Sequence, residues 1–424
     1  MSGALPISPL APGRRWTWPV PGSKSITNRA FVLAALAEGT TRLSGVLESD
    51  DTRYMRLGLE AMGVRVRDDG PIVQIDGGWT RLRAPREPLF VGNSGTTVRF
   101  LAALAALVPG QTTLVGDEHM AKRPIADLVD GLRQLGVSVT CASGCPPLTI
   151  TGGLYGGSHV RMRGDRSSQY FTALLLMGGL CGRPLRIEIE GPLVSRPYVE
   201  MTIRMLEDFG AQIDTEANAF VVHPVEAYRP LTYAIEPDAS AASYPFALAA
   251  AGRHDIVVEL GTRSLQGDYG FVDVLAQMGA EVERTPLQTR VRAATRLRGV
   301  DVDMHHISDT VMTLAAIAPL AEGPTTIRNV ANIRIKETDR LLATVTELRR
   351  LGQDVEMGSD WLRVNPRPLT PATIDCYSDH RMAMSFAVLG SVVPGVTIAD
   401  PACVSKTYPR FWDHLADFGA RAAV

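Results

Sequence analysis

A chain of 424 residues, 45% hydrophobic and 21% charged, has the composition of a folded protein and the length of two to four ordinary domains, which excludes wholesale disorder. Its formal charge of −2 exerts no global pull on nucleic acid or an anionic membrane, so any anion site must be local. Apolar runs such as residues 100–109 and 311–321 fall short of the roughly 20 residues that cross a bilayer.

At the N-terminus, Pro6, Pro9, Pro12, Arg14 and Arg15 lead into Trp16 and Trp18 without the apolar stretch of a secretory signal, so a cytoplasmic location is expected. The cysteines Cys141, Cys145, Cys181, Cys376 and Cys403 form no CxxC pair, and their odd number does not suggest a disulfide framework.

Along the chain one phrase recurs six times: leucine, two residues, an apolar residue, then glycine. It starts at Leu59, Leu132, Leu206, Leu275, Leu348 and Leu415 and places Gly63, Gly136, Gly210, Gly279, Gly352 and Gly419 at intervals of 67–74 residues. Each phrase predicts the end of an amphipathic helix capped by a positive-φ glycine, followed by a short strand such as 64–66 or 137–139. Ahead of each phrase lies a helical segment that is apolar on nearly every side, at 30–37, 98–107, 170–180, 244–251, 310–318 and 382–392. Helices of that kind are buried. Strands are expected after them, for example at 112–115, 185–189, 325–327 and 396–398.

The unit is thus strands alternating with one buried and one amphipathic helix, an α/β or α+β pattern. Three prolines between residues 224 and 237 separate the third unit from the fourth, so three units per domain is the natural division. The sixth unit has little room for closing strands. Residues before Val20 are therefore expected to complete the C-terminal domain, giving 19–235 for one domain and 1–18 plus 236–424 for the other.

The segments entering the buried helices are unusually polar: residues 22–29, 92–97, 165–169, 240–243, 308–309 and 378–381. Serine, threonine, asparagine and aspartate are favoured N-caps, and capping accounts for Ser240 and Ser243. It does not account for Lys24, Arg29 or Arg381, because cations there face the positive end of the helix dipole. An anion is expected at those ends, held jointly by free N–H groups and cationic side chains. Only four of the 43 basic residues are lysines, Lys24, Lys122, Lys336 and Lys406, and all four lie in short polar segments.

Residues 332–340 are expected to open an amphipathic helix on which Lys336 and Arg340 are i,i+4 neighbours and Glu337 and Arg340 are i,i+3; a salt-bridged surface helix has the same spacing. Lys122-Arg123-Pro124 precedes another helix with Pro124 expected at its first position, and Ser195-Arg196-Pro197-Tyr198 repeats that form. Lys406 reads equally well as surface charge. The glycine spacing of a Walker A loop is missing around Lys24, and no HExxH, Cys/His cluster or Gly-x-Ser-x-Gly elbow occurs, so neither a nucleotide triphosphate nor a metal is expected.

Taken together, Pro21-Gly22-Ser23-Lys24-Ser25-x-Thr27-Asn28-Arg29, Gly92-Asn93-Ser94-Gly95-Thr96, Arg123-Pro124, Ser167-Ser168-Gln169, Ser195-x-Pro197-Tyr198, Lys336 to Arg340, Asp379 to Met384 and Lys406-Thr407 resemble the 5-enolpyruvylshikimate-3-phosphate synthase family, in order and spacing from residue 21 to 407. The resemblance implies a two-domain inverse α/β barrel of six βαβαββ-type repeats, with the active site in the interdomain cleft. It also implies transfer of the enolpyruvyl group of phosphoenolpyruvate to the 5-hydroxyl of shikimate 3-phosphate, releasing phosphate through a tetrahedral intermediate. No cofactor, nucleic acid or membrane is implied, and the expected state is a monomer.

Carried over by position, Lys24, Ser25, Arg29, Ser167, Ser168, Gln169, Ser195, Tyr198, Asp309, Asn332 and Lys336 correspond to contacts for shikimate 3-phosphate. Lys24, Asn93, Gly95, Thr96, Arg123, Gln169, Glu337, Arg340, His380, Arg381 and Lys406 correspond to the phosphoenolpyruvate cradle. Asp309 and Glu337 match the acid/base pair: Glu337 is expected to serve the methylene proton and Asp309 the hydroxyl, with Lys24 able to share the latter task. Phe100, Ser308 and Ile333 depart from the family pattern beside the site. Gly95 leaves room at the phosphoenolpyruvate pocket, so the resemblance implies inhibition by glyphosate. The alternative is the related enolpyruvyl transferase acting on UDP-N-acetylglucosamine, which carries a cysteine where this chain has Glu118.

Overall fold

The computed structural model describes residues 3–153, 156–293 and 295–420; the expected outer domain limits at 1 and 424 fall outside these. Twelve helices alternate in character among the described residues. The odd members are α1 (Lys24–Leu36), α3 (Gly95–Leu107), α5 (Ser168–Gly178), α7 (Ala239–Gly252), α9 (Val311–Ile317) and α11 (His380–Gly390). The even members are α2 (Asp50–Ala61), α4 (Ala126–Gln134), α6 (Arg196–Asp208), α8 (Phe271–Gln277), α10 (Arg340–Arg350) and α12 (Phe411–Ala420).

The odd helices are buried because they have no polar face: every residue of α3, α9 and α11 is buried, and in α1 everything from Ile26 to Leu36. Five of them begin at a side-chain N-cap, Ser23, Ser94, Ser167, Asp238 or Asp379, so the polar entry segments do satisfy otherwise orphaned N–H groups. The even helices bury one face. Five of them are followed by a glycine at positive φ, with Gly63 at 96° and Gly352 at 81°, where any side chain would be strained.

Two compact units result, residues 22–236 and residues 1–21 with 237–424. In each, the three odd helices pack on one another, α1 with α3 and α5, and α7 with α9 and α11. Packing between helix and sheet is tight. A Cβ built on Gly77 would lie 1.9 Å from the carbonyl oxygen of Ala34 in α1, and one on Gly152 1.9 Å from that of Ala105 in α3. The hairpin strands can approach the buried helices only because these positions carry no side chain.

Among the described residues the strands form six sheets. The one containing Gly110–Val115 shows the pattern: a parallel edge strand, Leu89–Phe90, then the antiparallel strands Leu148–Gly152 and Ser138–Thr140. The first sheet of the 22–236 unit takes its parallel edge from Thr232–Ala234, late in the sequence, pairing with Gly39–Ser44. In the other unit the N-terminal segment serves two sheets. Arg15–Thr17 runs parallel to Asp255–Val258, and Leu5–Pro6 runs antiparallel to Val396–Ile398. Trp18 donates from Nε1 to the Tyr408 hydroxyl at 2.9 Å, and Trp16 stacks on Phe418 of α12 at 6.0 Å. Deleting residues 1–15 is therefore expected to speed proteolysis within 237–424, because one sheet edge loses its partner strand Leu5–Pro6 and another loses Arg15 from the strand paired with Asp255–Val258. Limited proteolysis of the truncated chain checks this, and an unchanged cleavage rate would contradict it.

Four local expectations need correction. Gly419 lies inside α12 rather than beyond its end, so the sixth phrase makes no capped turn. Residues 332–339 are not helical in the α sense: Ala331–Ile335 is a 3₁₀ turn, Lys336 has ψ of −142°, and α10 starts at Arg340 with Asp339 as its N-cap. Pro124 precedes the N-cap Ile125 of α4 instead of occupying its first position. Ser240 and Ser243 lie within α7, where Asp238 is the cap; Ser240 donates to Asp268, and Ser243 to the Ser240 carbonyl at 2.6 Å. At Ser240, Ser243 and Arg340 a tertiary or nearer polar partner outcompeted the local rule.

Candidate active site

In the 22–236 unit the site residues gather at the N-termini of α1, α3 and α5. Lys24 is the first residue of α1, and its Nζ lies 3.4 Å from Asp51 Oδ2 with both side chains largely covered. Asp51, in the first turn of α2, escaped the sequence reading because an acidic residue there looks like an ordinary dipole partner. Arg29, one turn further in, is buried. Its Nε donates to Thr202 Oγ1 at 2.8 Å, Nη1 to the Ser25 carbonyl at 2.8 Å, and Nη2 to the Tyr198 carbonyl at 3.1 Å and Thr172 Oγ1 at 3.3 Å. Four of its five donors are engaged, and it ties α1 to α5 and α6. Burial pulls its pKa down to about 10, against the opposing influence of Tyr198.

Arg123 lies across the start of α3. Its Nη1 donates to the Asn93 carbonyl at 3.1 Å and to Asn93 Oδ1 at 3.2 Å, and its guanidinium covers Gly95 so closely that a Cβ there would fall 2.6 Å from Nη2. Gln169 links two helices: its Nε2 donates to Thr96 Oγ1 at 3.3 Å and its Oε1 accepts from Arg99 Nη1. Arg99 also donates to the Pro124 carbonyl at 3.2 Å, which accepts the Tyr170 hydroxyl at 2.7 Å. Arg99 was passed over as a site residue, although a lone charge in an otherwise apolar buried helix signals a required partner. Ser167 caps α5, Ser168 is buried, and Ser195 holds the N-cap position of α6 with a left-handed backbone at φ 51° and no side-chain capping bond.

In the other unit the organising group is Arg340, which is 2% exposed. Its Nε lies 2.6 Å from Asp379 Oδ2, and its Nη2 donates to Glu337 Oε2 at 2.8 Å and to Asp379 Oδ1 at 3.2 Å. Its Nη1 donates to Asp309 Oδ1 at 3.2 Å. Burial alone would lower the Arg340 pKa, but Asp379, Glu337 and Asp309 together outweigh it and raise the value, so the guanidinium stays charged. Arg381 Nη2 donates to Asp309 Oδ2 at 2.8 Å. Asp309 is thus shared between two arginines, and Arg340 between three carboxylates.

His380 is buried with Nδ1 3.6 Å from Asp379 Oδ1. Asn332 Nδ2 donates to the hydroxyl of Ser308, the neighbour of Asp309, at 3.0 Å. Lys336 immediately precedes Glu337 in the irregular segment before α10, and Lys406 is buried at the end of the 3₁₀ segment Pro401–Lys406, which packs on α11. Asp379 was read only as part of an entry motif. Its clamp on Arg340 joins residues 39 positions apart and leaves no mark in local spacing.

Arg340 and Arg381 hold Asp309 and Glu337, and positive side chains outnumber carboxylates in both units' sets. Such an arrangement suits small polyanions with a carboxyl group placed for proton transfer. No helix among the described residues is long and apolar enough to cross a membrane.

A family model described as EPSP synthase (3-phosphoshikimate 1-carboxyvinyltransferase) matches residues 17–415. A 3-phosphoshikimate 1-carboxyvinyltransferase from Shewanella denitrificans is 45% identical over 406 residues, covering 94% of this chain and 95% of the relative. One of the same description from Nostoc sp. is 44% identical, covering 93% and 94%. Among solved structures, EPSP synthase from Acinetobacter baumannii superposes with a TM-score of 0.82 at 26% identity, covering 99% of this chain and 98% of that one.

Proposed function

The chain belongs to the EPSP synthase (3-phosphoshikimate 1-carboxyvinyltransferase) family, and on that premise we propose which of its residues carry the reaction. It is a transferase of aromatic amino-acid biosynthesis that moves the enolpyruvyl group of phosphoenolpyruvate to the 5-hydroxyl of shikimate 3-phosphate and releases phosphate. Lys24, Ser25, Arg29, Ser167, Ser168, Gln169, Ser195, Tyr198, Asp309, Asn332 and Lys336 serve shikimate 3-phosphate. Lys24, Asn93, Gly95, Thr96, Arg123, Gln169, Glu337, Arg340, His380, Arg381 and Lys406 serve phosphoenolpyruvate. One reaction draws on both sets.

The carrying observation is the convergence of Asp309 and Glu337 on buried Arg340. Two phosphates and two carboxylates repel one another by several kcal/mol even at an effective dielectric of about 20, so clustered arginine and lysine must offset them before chemistry begins. Glu337 then gives its proton to the methylene carbon while the hydroxyl, relieved of its proton by Asp309 or Lys24, attacks C2. Arg340 stabilises the Glu337 carboxylate so formed. In the second half Glu337 takes a methyl proton back as phosphate leaves the tetrahedral intermediate, and the phosphate carries away the hydroxyl proton held by Asp309 or Lys24. This acid and base exchange needs no cofactor.

The test is phosphate release with both substrates, run beside UDP-N-acetylglucosamine as competing acceptor. Release that depends on shikimate 3-phosphate supports the assignment, and release only with the nucleotide sugar refutes it. The protein acts as a cytoplasmic monomer without nucleic acid or membrane; sedimentation at more than one chain's mass would contradict the monomer.

Gly95→Ala is expected to raise the KM for phosphoenolpyruvate by about tenfold or more, the scale on which a misplaced cradle group matters. The new methyl meets a guanidinium that Asn93 holds from the other side, so Arg123 must shift. Steady-state kinetics with phosphoenolpyruvate varied measures it. The room expected beside Gly95 is taken by the Arg123 guanidinium, so the expected inhibition by glyphosate rests on the family resemblance, and full activity at high inhibitor concentration would contradict it.

A further inference from the structure

The bend that delivers Asp379, His380 and Arg381 to α11 is strained. Tyr377 and Ser378 are consecutive non-glycine residues in the left-handed region, at φ 52° and 54°. Local contacts account for part of its shape: Tyr377 N–H donates to Asp375 Oδ1 at 2.9 Å, and Asp379 N–H to the Cys376 carbonyl at 2.8 Å. The rest comes from Glu347, a fully buried carboxylate in α10. Its Oε1 accepts the Tyr377 hydroxyl at 2.8 Å, and its Oε2 accepts the Asp375 N–H at 3.1 Å. Its charge is met by Arg350 at 3.3 Å, a side chain that is half exposed. Burial, followed by the bond to Glu347, pushes the Tyr377 hydroxyl up to about 12, so it remains a donor.

One helix therefore grips one bend at two places. Arg340 at the first residue of α10 holds Asp379, and Glu347, two turns later, holds Asp375 and Tyr377. A buried carboxylate is costly unless its bonds are needed, and nothing in the proposed chemistry uses this one directly.

We infer that Glu347 is a positioning residue for enolpyruvyl transfer: it holds the Tyr377–Ser378 bend in the shape that sets Asp379 against Arg340 and Arg381 against Asp309. This rests on the assignment of Arg340 and Arg381 to phosphoenolpyruvate given above. Loss of the grip lets the bend relax toward ordinary backbone angles, and the arginines lose their orientation. The phosphoenolpyruvate side is affected first, because most of the proposed shikimate 3-phosphate contacts lie on other elements.

Kinetics of the full chain with each substrate varied in turn tests this. Glu347→Ala is expected to raise the phosphoenolpyruvate KM about tenfold or more and to leave the shikimate 3-phosphate KM within about twofold, a split that simple loss of folded protein does not produce. Glu347→Gln keeps an acceptor oxygen and is expected to return most of that loss. Ser378→Gly in the Glu347→Ala background is expected to recover part of it, since glycine takes the left-handed bend without strain. Tyr377→Phe removes a single hydroxyl and reports independently should Glu347→Ala fail to fold; its expected effect is about three- to tenfold on the same KM.

An unchanged phosphoenolpyruvate KM in Tyr377→Phe, or KM values for both substrates that move together with loss of folded protein, overturns the inference. Arg381→Lys separates it from its premise. If that change leaves the phosphoenolpyruvate KM alone, the site assignment fails and the inference with it. If it raises that KM while Tyr377→Phe does not, the assignment stands and the inference falls.

Discussion

Glu337→Gln is expected to bind both substrates with KM values close to those of the parent chain while turnover falls about 10²–10⁴-fold, the weight of one positioned acid or base. The substitution is nearly isosteric. Its amide oxygen can still accept from Arg340 Nη2, which now lies 2.8 Å from Glu337 Oε2, so the guanidinium keeps its place among Asp309 and Asp379. What disappears is the proton that must reach the methylene carbon and the base that must later remove one. Because both halves of the reaction use the same group, the variant should accumulate neither product nor tetrahedral intermediate, which rapid-quench sampling of a single turnover can check. Turnover near the parent value would take Glu337 out of the proton-transfer role.

Arg340→Met should cost far more than its lost substrate contact. Methionine fills much of the arginine's volume but leaves Asp309, Glu337 and Asp379 facing one another without their shared cation, and the Asp379 side chain is fully buried. Removing one partner of a buried ion pair typically costs about 3–5 kcal/mol, because the remaining charge has neither water nor partner. For a unit of this size that corresponds to roughly 10 °C of melting temperature. Calorimetry of the variant should show the transition of the 237–424 unit lowered while that of 22–236 holds its position, since Arg340 and its three carboxylates all belong to the former. A melting profile within about 2 °C of the parent's would show that the three carboxylates tolerate the loss, and that Arg340 serves substrate alone.

Much of the architecture was readable because it repeats. Six leucine–glycine phrases with an apolar helix before each forecast the helices, and five of the phrase glycines take positive φ. At Ser240 and Ser243 and across residues 332–339, the local signal was genuine but a competing interaction took over. Ser240 bonds Asp268, 28 positions away, and Arg340 bonds Asp379, 39 positions away, besides its i,i+3 neighbour Glu337. The resemblance supplied most site residues, yet Asp51, Arg99, Asp379 and Glu347 were invisible as site residues. Each acts on a group distant in sequence, through a bond whose only local trace is a polar side chain in an ordinary place.

Composition and periodicity were enough to determine the repeat and the buried helices, because these depend on which residue types recur and at what interval, whereas the family and its reaction came from the resemblance of the ordered motifs. Which charge meets which was decided only by folding. A guanidinium's partner is set by distance and desolvation across packed helices, so Arg29 came to rest on hydroxyls and carbonyls while Arg340 gathered three carboxylates, and no one-dimensional spacing distinguishes the two.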